Sequence, residues 1–161
     1  MKKNIEKQLF HLWGKVGFIV NLSQMIEYTL ANILAFDELL RELEEKDSVF
    51  VFEFNEFADK AHKWHKTLES KPLGYGIKRA KKLGYFDNKS QKRLNAMCKE
   101  RNYVIHRLFK DDLTKKYLET EPKFYYERLE KLIEEMNAIN EDLNKIFAEQ
   151  KKNYISIIGE K

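Results

Sequence analysis

Apolar side chains recur three and four positions apart along most of the chain, which is the spacing of one face of an α-helix. The longest such run predicts a first helix from about Ile5 to Lys46. The positions of its stripe are Leu9, Leu12, Trp13, Val16, Ile19, Val20, Ser23, Ile26, Leu30, Ile33 and Leu34, all apolar except Ser23. Phe18, Leu22 and Met25 widen the stripe beyond one face. Such a helix needs two surfaces to pack against, so a subunit interface is expected.

The rest of the chain predicts three or four further helices. The second ends at Glu69, the third covers Tyr75 to Leu83, the fourth runs from Lys89 to Lys110, and the last begins at Pro122 and continues to near Tyr154. The segment Asp47 to Phe57 contains VFVFEF, which resembles a strand, but a single strand has no partner, so a loop and the start of helix two are predicted. Residues 1–161 are therefore expected to form one domain, an all-α bundle of four to five helices with long first and last helices.

Composition is compatible with such a domain and bears on its location. At 161 residues with 43% hydrophobic side chains, the chain can bury a core without disulfides or metals. Its single cysteine, Cys98, cannot form an internal disulfide, and Glu6 and Lys7 precede any apolar run. Polar residues interrupt the most apolar stretch, Val16 to Leu40. A cytoplasmic protein without a membrane segment is therefore expected.

Basic residues are concentrated in the middle third of the chain. Residues 60–110 carry 15 basic and 3 acidic side chains, whereas the whole chain has a net charge of only +4. A segment with a balance of +12 suits an anionic partner, with nucleic acid the first candidate. A solvated helical surface that keeps the protein soluble would account for the same charge.

The basic third contains RNYVIH, Arg101 to His106. On a helix Asn102 and His106 share a face, and Arg101 lies about 100° round the axis from Asn102. An imidazole can take a proton from a ribose 2′-hydroxyl or give one to a leaving oxygen, a guanidinium can bind phosphate oxygens, and an amide can orient either group. These groups suit cleavage of RNA, although a salt-bridge and capping cluster has the same composition.

The stretch KRLNAMCKERNYVIHRLF resembles the signature helix of the HEPN superfamily (higher eukaryotes and prokaryotes nucleotide-binding). In that signature an Arg, usually followed by a polar residue, precedes a His, and Arg101, Asn102 and His106 match it. The order of helices around the motif also fits the family. The chain has Leu108 rather than Tyr two residues after the His, so it departs from the subgroup that pairs with small nucleotidyltransferase antitoxins.

The resemblance implies a metal-independent endoribonuclease without a cofactor, serving in a toxin–antitoxin, abortive-infection or phage-defence setting. It implies a homodimer whose two motifs form a composite active site, with RNA as substrate and an antitoxin or regulatory protein as a further partner. His106 would be the general acid or base, Arg101 would stabilise the phosphate and Asn102 would position it. The expected substrate-binding cations are Lys92, Arg93, Lys99, Arg107 and Lys110. Some members have lost activity, so the alternative is a non-catalytic helical binding or scaffold protein that partners another protein or a nucleotide.

Three further patterns carry less specific expectations. His62 and His65 are not expected to bind a metal, because no further ligands follow at a recognisable spacing. Cys98 is expected to be a small buried side chain rather than a nucleophile. Aromatic residues interleaved with cations could stack on bases beside phosphate contacts, or could be core residues among solvated lysines. These residues are Tyr75, Tyr85 and Phe86 with Lys78, Arg79, Lys81 and Lys82.

The predicted fourth helix has its own inward face. The side chains expected there are Leu94, Met97, Cys98, Arg101, Ile105, Leu108 and Phe109. Because Arg101 belongs to this face, the helix is expected to place the RNYVIH motif at the boundary between core and surface.

Overall fold

A computed structural model describes residues 2–45, 54–108, 110 and 122–159. Within these ranges the chain forms five helices and no strand. They are α1 (Lys2–Glu45), α2 (Phe54–Glu69), α3 (Leu73–Lys82), α4 (Asn88–His106) and α5 (Pro122–Gly159). The prediction of an all-α bundle with long first and last helices is therefore confirmed. Most of the ambiguous VFVFEF segment lies outside the described residues, and α2 begins at its last residue, Phe54.

Several helix ends differ from the prediction by a few residues. Helix α3 begins at Leu73, two residues early, because Pro72 is its extended N-cap and the Pro72 carbonyl accepts a hydrogen bond from the amide of Tyr75. Helix α4 ends at His106, because the amides of Arg107 and Leu108 both donate to the carbonyl of Tyr103 and close the last turn. Helix α5 continues past the predicted end, to Gly159.

Helix α1 is the central element of the bundle, because it packs against each of the other four described helices. Every residue from 29 to 37 is buried, so this part of the helix is surrounded on all sides. The N-terminal half is covered on one side only. Trp13 and Val20, which belong to the predicted apolar stripe, are exposed together with Phe10, Phe18, Met25 and Tyr28. Packing within one chain therefore accounts for the apolar character of the middle of α1 and leaves an apolar surface on its first half.

Helix α4 buries a narrower face than predicted. Leu94, Met97, Val104 and Leu108 are buried, whereas Cys98 and Ile105 are half-buried, and Phe109 lies outside the described residues. Val104 therefore takes the inward position that was predicted for Ile105. Positions 94, 97, 101, 104 and 108 follow the three-and-four spacing of one side of a helix, and four of them are the buried residues just named. The fifth is Arg101, so its side chain leaves the helix on this inward side, toward α1 rather than toward solvent.

Helices α3 and α4 run antiparallel. Near the end of α3, Lys81 donates hydrogen bonds to Asn88 and Gln91 at the start of α4, and Leu73 at the start of α3 lies beside Tyr103 near the end of α4. Between the helices Gly84 adopts φ 89°, a left-handed conformation that favours glycine. Asp87 then caps α4 by accepting a hydrogen bond from the amide of Ser90 at 2.7 Å.

A polar network fastens the α3–α4 connection to both long helices. The hydroxyl of Tyr85 donates to Asp37 of α1 and accepts from the amide of Gln150 of α5, each at 2.7 Å. The same Gln150 amide also donates to the carbonyl of Ile33. Burial and the bond to Asp37 raise the pKa of Tyr85 to about 12. The network fixes the position of α3 and α4 relative to α1, which matters because the candidate site lies between these helices.

Within the described ranges, none of the helices contains an apolar stretch that would cross a bilayer.

Candidate functional site

The RNYVIH motif lines an open cleft at the C-terminal end of α4. One wall is formed by α4 and the other by Pro72 and Leu73, where the turn after α2 enters α3. The cleft has a volume of about 640 Å³. Its α4 wall consists of Lys99, Arg101, Asn102, Tyr103, His106 and Arg107. The structure thus brings the three predicted catalytic residues together with two of the predicted substrate-binding cations, and we call this concavity the α4 cleft.

The guanidinium of Arg101 is held by contacts on three of its nitrogens. Its Nε donates to the hydroxyl of Ser23 at 3.1 Å, its Nη1 donates to Oδ1 of Asn102 at 2.9 Å, and its Nη2 lies 3.6 Å from a carboxylate oxygen of Glu27. Ser23 is itself oriented, because its hydroxyl donates to the carbonyl of Ile19 at 2.8 Å. The Arg101 side chain is only 19% exposed. Helix α1 therefore sets the direction in which this cation faces the cleft.

Asn102 and His106 are the exposed members of the motif. Because Oδ1 of Asn102 accepts from Arg101, the Nδ2 end of the amide remains as a hydrogen-bond donor. The His106 ring makes no hydrogen bond or ion pair to the described residues, so either ring nitrogen can contact a ligand from solvent. An oriented cation, an amide donor and an accessible imidazole thus share one cleft.

Burial affects the titration of two groups next to Arg101. It raises the pKa of Glu27, and the nearby Arg101 opposes that shift. It raises the pKa of Cys98 to about 11, with Arg101 lowering it and Glu27 raising it. The raised pKa leaves little thiolate at neutral pH, and the Cys98 side chain is half-buried rather than buried as predicted.

Ser23 and Glu27 are site residues that sequence analysis did not identify. They are four positions apart, so they lie on the same side of α1, 78 and 74 residues before Arg101 in the chain. The available signal was their polarity within an otherwise apolar helix, since both interrupt the stretch Val16 to Leu40. That signal excludes a membrane span but does not say which element they contact.

The remaining predicted substrate-binding cations lie elsewhere. Arg93 is paired with two carboxylates of α5, with its Nε 2.5 Å from Glu135 and its Nη1 2.8 Å from Asp142, and so it ties α4 to α5. These partners raise the pKa of Arg93 further above its ordinary value. Lys92 and Lys110 are exposed outside the lining of the α4 cleft.

The cleft is electropositive. Lys99, Arg101 and Arg107 line it, and no Asp or Glu is among its described lining residues. The nearest acidic neighbour along α4, Glu100, is paired with Arg128 of α5 at 3.0 Å. Arg128 also lies over the ring of Tyr103, 4.2 Å from its centroid. Arg101 is itself paired with Glu27, so Lys99 and Arg107 supply most of the charge that would favour an anion such as a phosphate.

In the described part of the chain, no three His, Cys, Asp or Glu side chains are grouped closely enough to bind a metal ion. His62 is exposed, and the ring of His65 packs against that of Tyr28, with 4.7 Å between centroids.

The exposed apolar side chains of α1 form a second surface feature, which we call the α1 face. Its members are Phe10, Trp13, Phe18, Val20, Met25 and Tyr28, with Phe10 78% and Trp13 61% exposed. Gly14 and Gly17 lie on the same side, where an added Cβ would meet nothing within 4 Å. Val20, at the edge of the α1 face, is three positions before Ser23 and seven before Glu27, so it lies next to the side of α1 that holds Arg101.

Comparison of the chain with models of protein families, with curated proteins and with solved structures finds no significant match in any of the three.

Proposed function

We propose that the protein is a metal-independent endoribonuclease of the HEPN type. The observation that carries the proposal is the α4 cleft, in which Arg101, Asn102 and His106 come together with Lys99 and Arg107, two cations without an ion pair to the described residues. The motif residues have side chains suited to phosphodiester cleavage, and Arg101 is oriented by contacts from another helix. A capping cluster alone would not require an open cleft or an accessible His106.

The proposed reaction is attack of a ribose 2′-oxygen on the adjacent phosphorus. His106 in its neutral form takes the 2′-hydroxyl proton, and the bond from phosphorus to the 5′-oxygen breaks as the new one forms. The guanidinium of Arg101 stabilises the charge on the non-bridging oxygens, and Asn102 donates to one of them. The leaving 5′-oxygen takes up a proton from a general acid. The products are a 2′,3′-cyclic phosphate and a 5′-hydroxyl.

We further propose that the enzyme is a homodimer with a composite active site. One His106 cannot be base and acid at the same moment, and a second copy of the motif would supply the other imidazole. The α1 face supports this assembly, since it groups four exposed aromatic rings with Val20 and Met25 in one apolar patch that a second copy would bury. That the two motifs meet across this interface rests on the resemblance of the RNYVIH helix to the HEPN signature.

The proposed setting is a cytoplasmic toxin–antitoxin, abortive-infection or phage-defence system. This part rests on the resemblance of the RNYVIH helix, together with a single thiol that suits a reducing compartment. An antitoxin or another regulatory protein would then hold the enzyme inactive. Expression in a bacterial host tests it, since the wild-type protein should arrest growth and the variant His106→Ala should not.

Cleavage of a single-stranded RNA pool in the presence of a chelator tests the enzymatic proposal. The wild-type protein should cut the pool without added divalent ions and leave cyclic phosphate ends. The variant His106→Ala should lose at least about 100-fold in rate, because general acid–base catalysis supplies that much. The matched control is His62→Ala, which removes another exposed histidine and should cut like the wild type. Equal rates for the two variants would refute the proposal.

The α1 face also fits a second candidate function, a non-catalytic helical module that binds another protein. In that case the protein would bind its partner tightly, the binding would survive Arg101→Ala, and no RNA would be cut. The cleavage assay therefore separates the two candidates.

A further inference from the structure

Helix α3 presents one continuous face to solvent beside the α4 cleft. Its inward residues are the buried Leu73, Gly76, Ile77 and Ala80. Helices α2 and α3 approach each other closely at Gly76, because a Cβ added there would lie 3.0 Å from the side chain of Leu68 on α2. The outward residues are Tyr75, Lys78, Arg79 and Lys82, all exposed. Their spacing of three and four places one aromatic ring and three cations along one side of the helix, which we call the α3 face.

The three cations of the α3 face are uncompensated. No ion pair or hydrogen bond joins the side chains of Lys78, Arg79 or Lys82 to the described residues, and α3 contains no acidic residue. The fourth cation of this helix near its end, Lys81, is instead engaged by Asn88 and Gln91. A surface whose charges have no partner in the protein favours an anionic ligand.

The neighbouring acidic groups do not neutralise this face either. Residues 71–110 contain 12 basic side chains and only two acidic ones, Asp87 and Glu100. Asp87 caps α4 and Glu100 is paired with Arg128. Within residues 71–110, both the α3 face and the α4 cleft therefore carry an excess of positive charge.

The structure also separates the aromatic residues that sequence analysis could not distinguish. Phe86 is buried and the hydroxyl of Tyr85 is bonded to Asp37 and Gln150, so both belong to the interior. Tyr75 is 42% exposed. Of these three rings, only that of Tyr75 is open to a base, and stacking on an aromatic ring is a common mode of binding unpaired bases.

The first turn of α3 carries a cleft residue on its inner side and the start of the α3 face on its outer side. Leu73, the first residue of α3, lines the cleft, and Tyr75 follows two positions later. The rise of an α-helix places Lys82 about 10 Å further along the axis than Tyr75. A polynucleotide that leaves the cleft has to pass round the exposed Pro72 to the outer side of α3, where it meets the ring of Tyr75 first and the cations next.

We propose that the α3 face binds single-stranded RNA on one side of the cleavage site. Tyr75 stacks on an unpaired base, and Lys78, Arg79 and Lys82 contact successive phosphates. This inference rests on the proposed function for the identity of the polymer, and it adds a binding track that the RNYVIH motif does not contain. It also means that the enzyme holds a longer segment than the scissile dinucleotide and prefers unpaired RNA.

Binding of a fluorescent 20-nucleotide RNA, followed by anisotropy at several salt concentrations, tests the proposal. Measurements in the His106→Ala background keep the RNA intact. Removing three cations with Lys78→Gln, Arg79→Gln and Lys82→Gln should reduce the slope of log K against log salt by about 2, because each phosphate contact to a single strand contributes about 0.7. The matched control combines Lys63→Gln, Lys66→Gln and Lys131→Gln, three exposed lysines on α2 and α5, and should retain the slope.

Stacking is tested by Tyr75→Ala and Tyr75→Phe. The alanine variant should weaken binding roughly 5- to 150-fold, and the phenylalanine variant should bind like the parent protein, because the ring rather than the hydroxyl contacts the base. Duplex RNA of the same length should bind more weakly than the single strand and should be insensitive to Tyr75→Ala.

The outcomes distinguish this inference from the proposed function. RNA binding that depends on the α3 face, without any cleavage by the wild-type protein, would support the inference and refute the nuclease. Cleavage that depends on His106, with equal salt slopes for the α3 and control variants, would support the nuclease and overturn the inference. Loss of affinity in both triple variants alike would also overturn it, since the effect would then be one of net charge.

Discussion

The guanidinium of Arg101 on α4 and the hydroxyl of Ser23 on α1 are joined by a hydrogen bond of 3.1 Å across 78 residues of sequence. Ser23 is buried, and its hydroxyl is already directed by the carbonyl of Ile19. The acceptor is therefore held in place before any ligand arrives. This contact explains how a cation in the inward series of a helix can still serve a cleft at the surface, because α1 directs the side chain along the interface.

Replacing Arg101 with lysine should abolish most of the activity while preserving the charge. Arg101 uses three different nitrogens to reach Ser23, Asn102 and Glu27, and a single ammonium group cannot reproduce that geometry. We expect the cleavage rate to fall by a factor on the order of 100 to 1,000, with RNA affinity changing by less than about tenfold. Single-turnover cleavage and anisotropy measure the two quantities.

The control for that variant is Arg41→Lys, which alters an exposed arginine paired with Asp37 within α1. It should cleave at the wild-type rate. If Arg101→Lys also cleaved at the wild-type rate, Arg101 would act only as a charge and the proposed orientation would have no role in catalysis.

Glu27 should make stability depend on pH in a defined direction. Its pKa is raised by burial, so the folded protein binds a proton more tightly than the unfolded chain. The free energy of unfolding should consequently decrease as the pH rises above the ordinary value of 4.5, until Glu27 is ionised in the folded protein. Urea unfolding of the wild type and of Glu27→Gln between pH 4 and pH 7 measures this, and the wild type should lose stability relative to the variant over that range.

Glu130→Gln is the control for the titration, because Glu130 forms an exposed ion pair with Lys15 on the surface between α1 and α5. This variant tests whether the loss of any one carboxylate produces the same change of stability with pH. A wild type that gained stability relative to Glu27→Gln with rising pH would show that the attraction of Arg101 outweighs the burial of Glu27.

Cys98 should react slowly with thiol reagents in the folded protein. Burial raises the pKa of its thiol to about 11, so almost none of the reactive thiolate is present at pH 7. We expect labelling by iodoacetamide to accelerate strongly on unfolding in urea. Cys98→Ala should retain RNA cleavage, and a complete loss of cleavage in a variant that remains folded would assign this thiol a chemical role.

The α1 face should control the oligomeric state. Phe10→Glu combined with Trp13→Glu places two charges where the proposed dimer buries aromatic rings, and light scattering coupled to gel filtration should then show a monomer. Ile155→Glu, at a 68% exposed site on α5, should leave the dimer intact. A wild-type monomer at high concentration, or a double variant that remains dimeric, would contradict the proposed interface.

The proposed composite site leads to a second prediction for the double variant Phe10→Glu with Trp13→Glu. If two copies of His106 divide the roles of base and acid, the monomeric double variant should lose cleavage although its own motif is unchanged. Its circular dichroism should remain that of a folded helical protein, because the altered side chains lie on the surface of α1. Full activity in the monomer would restrict the site to one chain.

The helices and the grouping of the motif could be predicted because both depend on local geometry. Backbone hydrogen bonds in a helix join residues four apart, so the three-and-four spacing of Leu129, Leu132 and Met136 is sufficient to indicate α5. The same periodicity places Asn102 and His106 on one side of α4. The predicted helix ends were less accurate. The end of α4, for example, depends on the hydrogen bonds that the amides of Arg107 and Leu108 both donate to the carbonyl of Tyr103.

What the motif contacts was decided by the tertiary structure alone. Whether a cation such as Arg93 or Arg101 faces a ligand depends on which carboxylates another helix brings within reach, and Glu135, Asp142 and Glu27 are distant in sequence. The same holds for Tyr75 and Tyr85, which differ in exposure because only Tyr85 meets Asp37 and Gln150. Sequence periodicity states which side of a helix is apolar, but the partner of a polar side chain is set by packing between elements far apart in the chain.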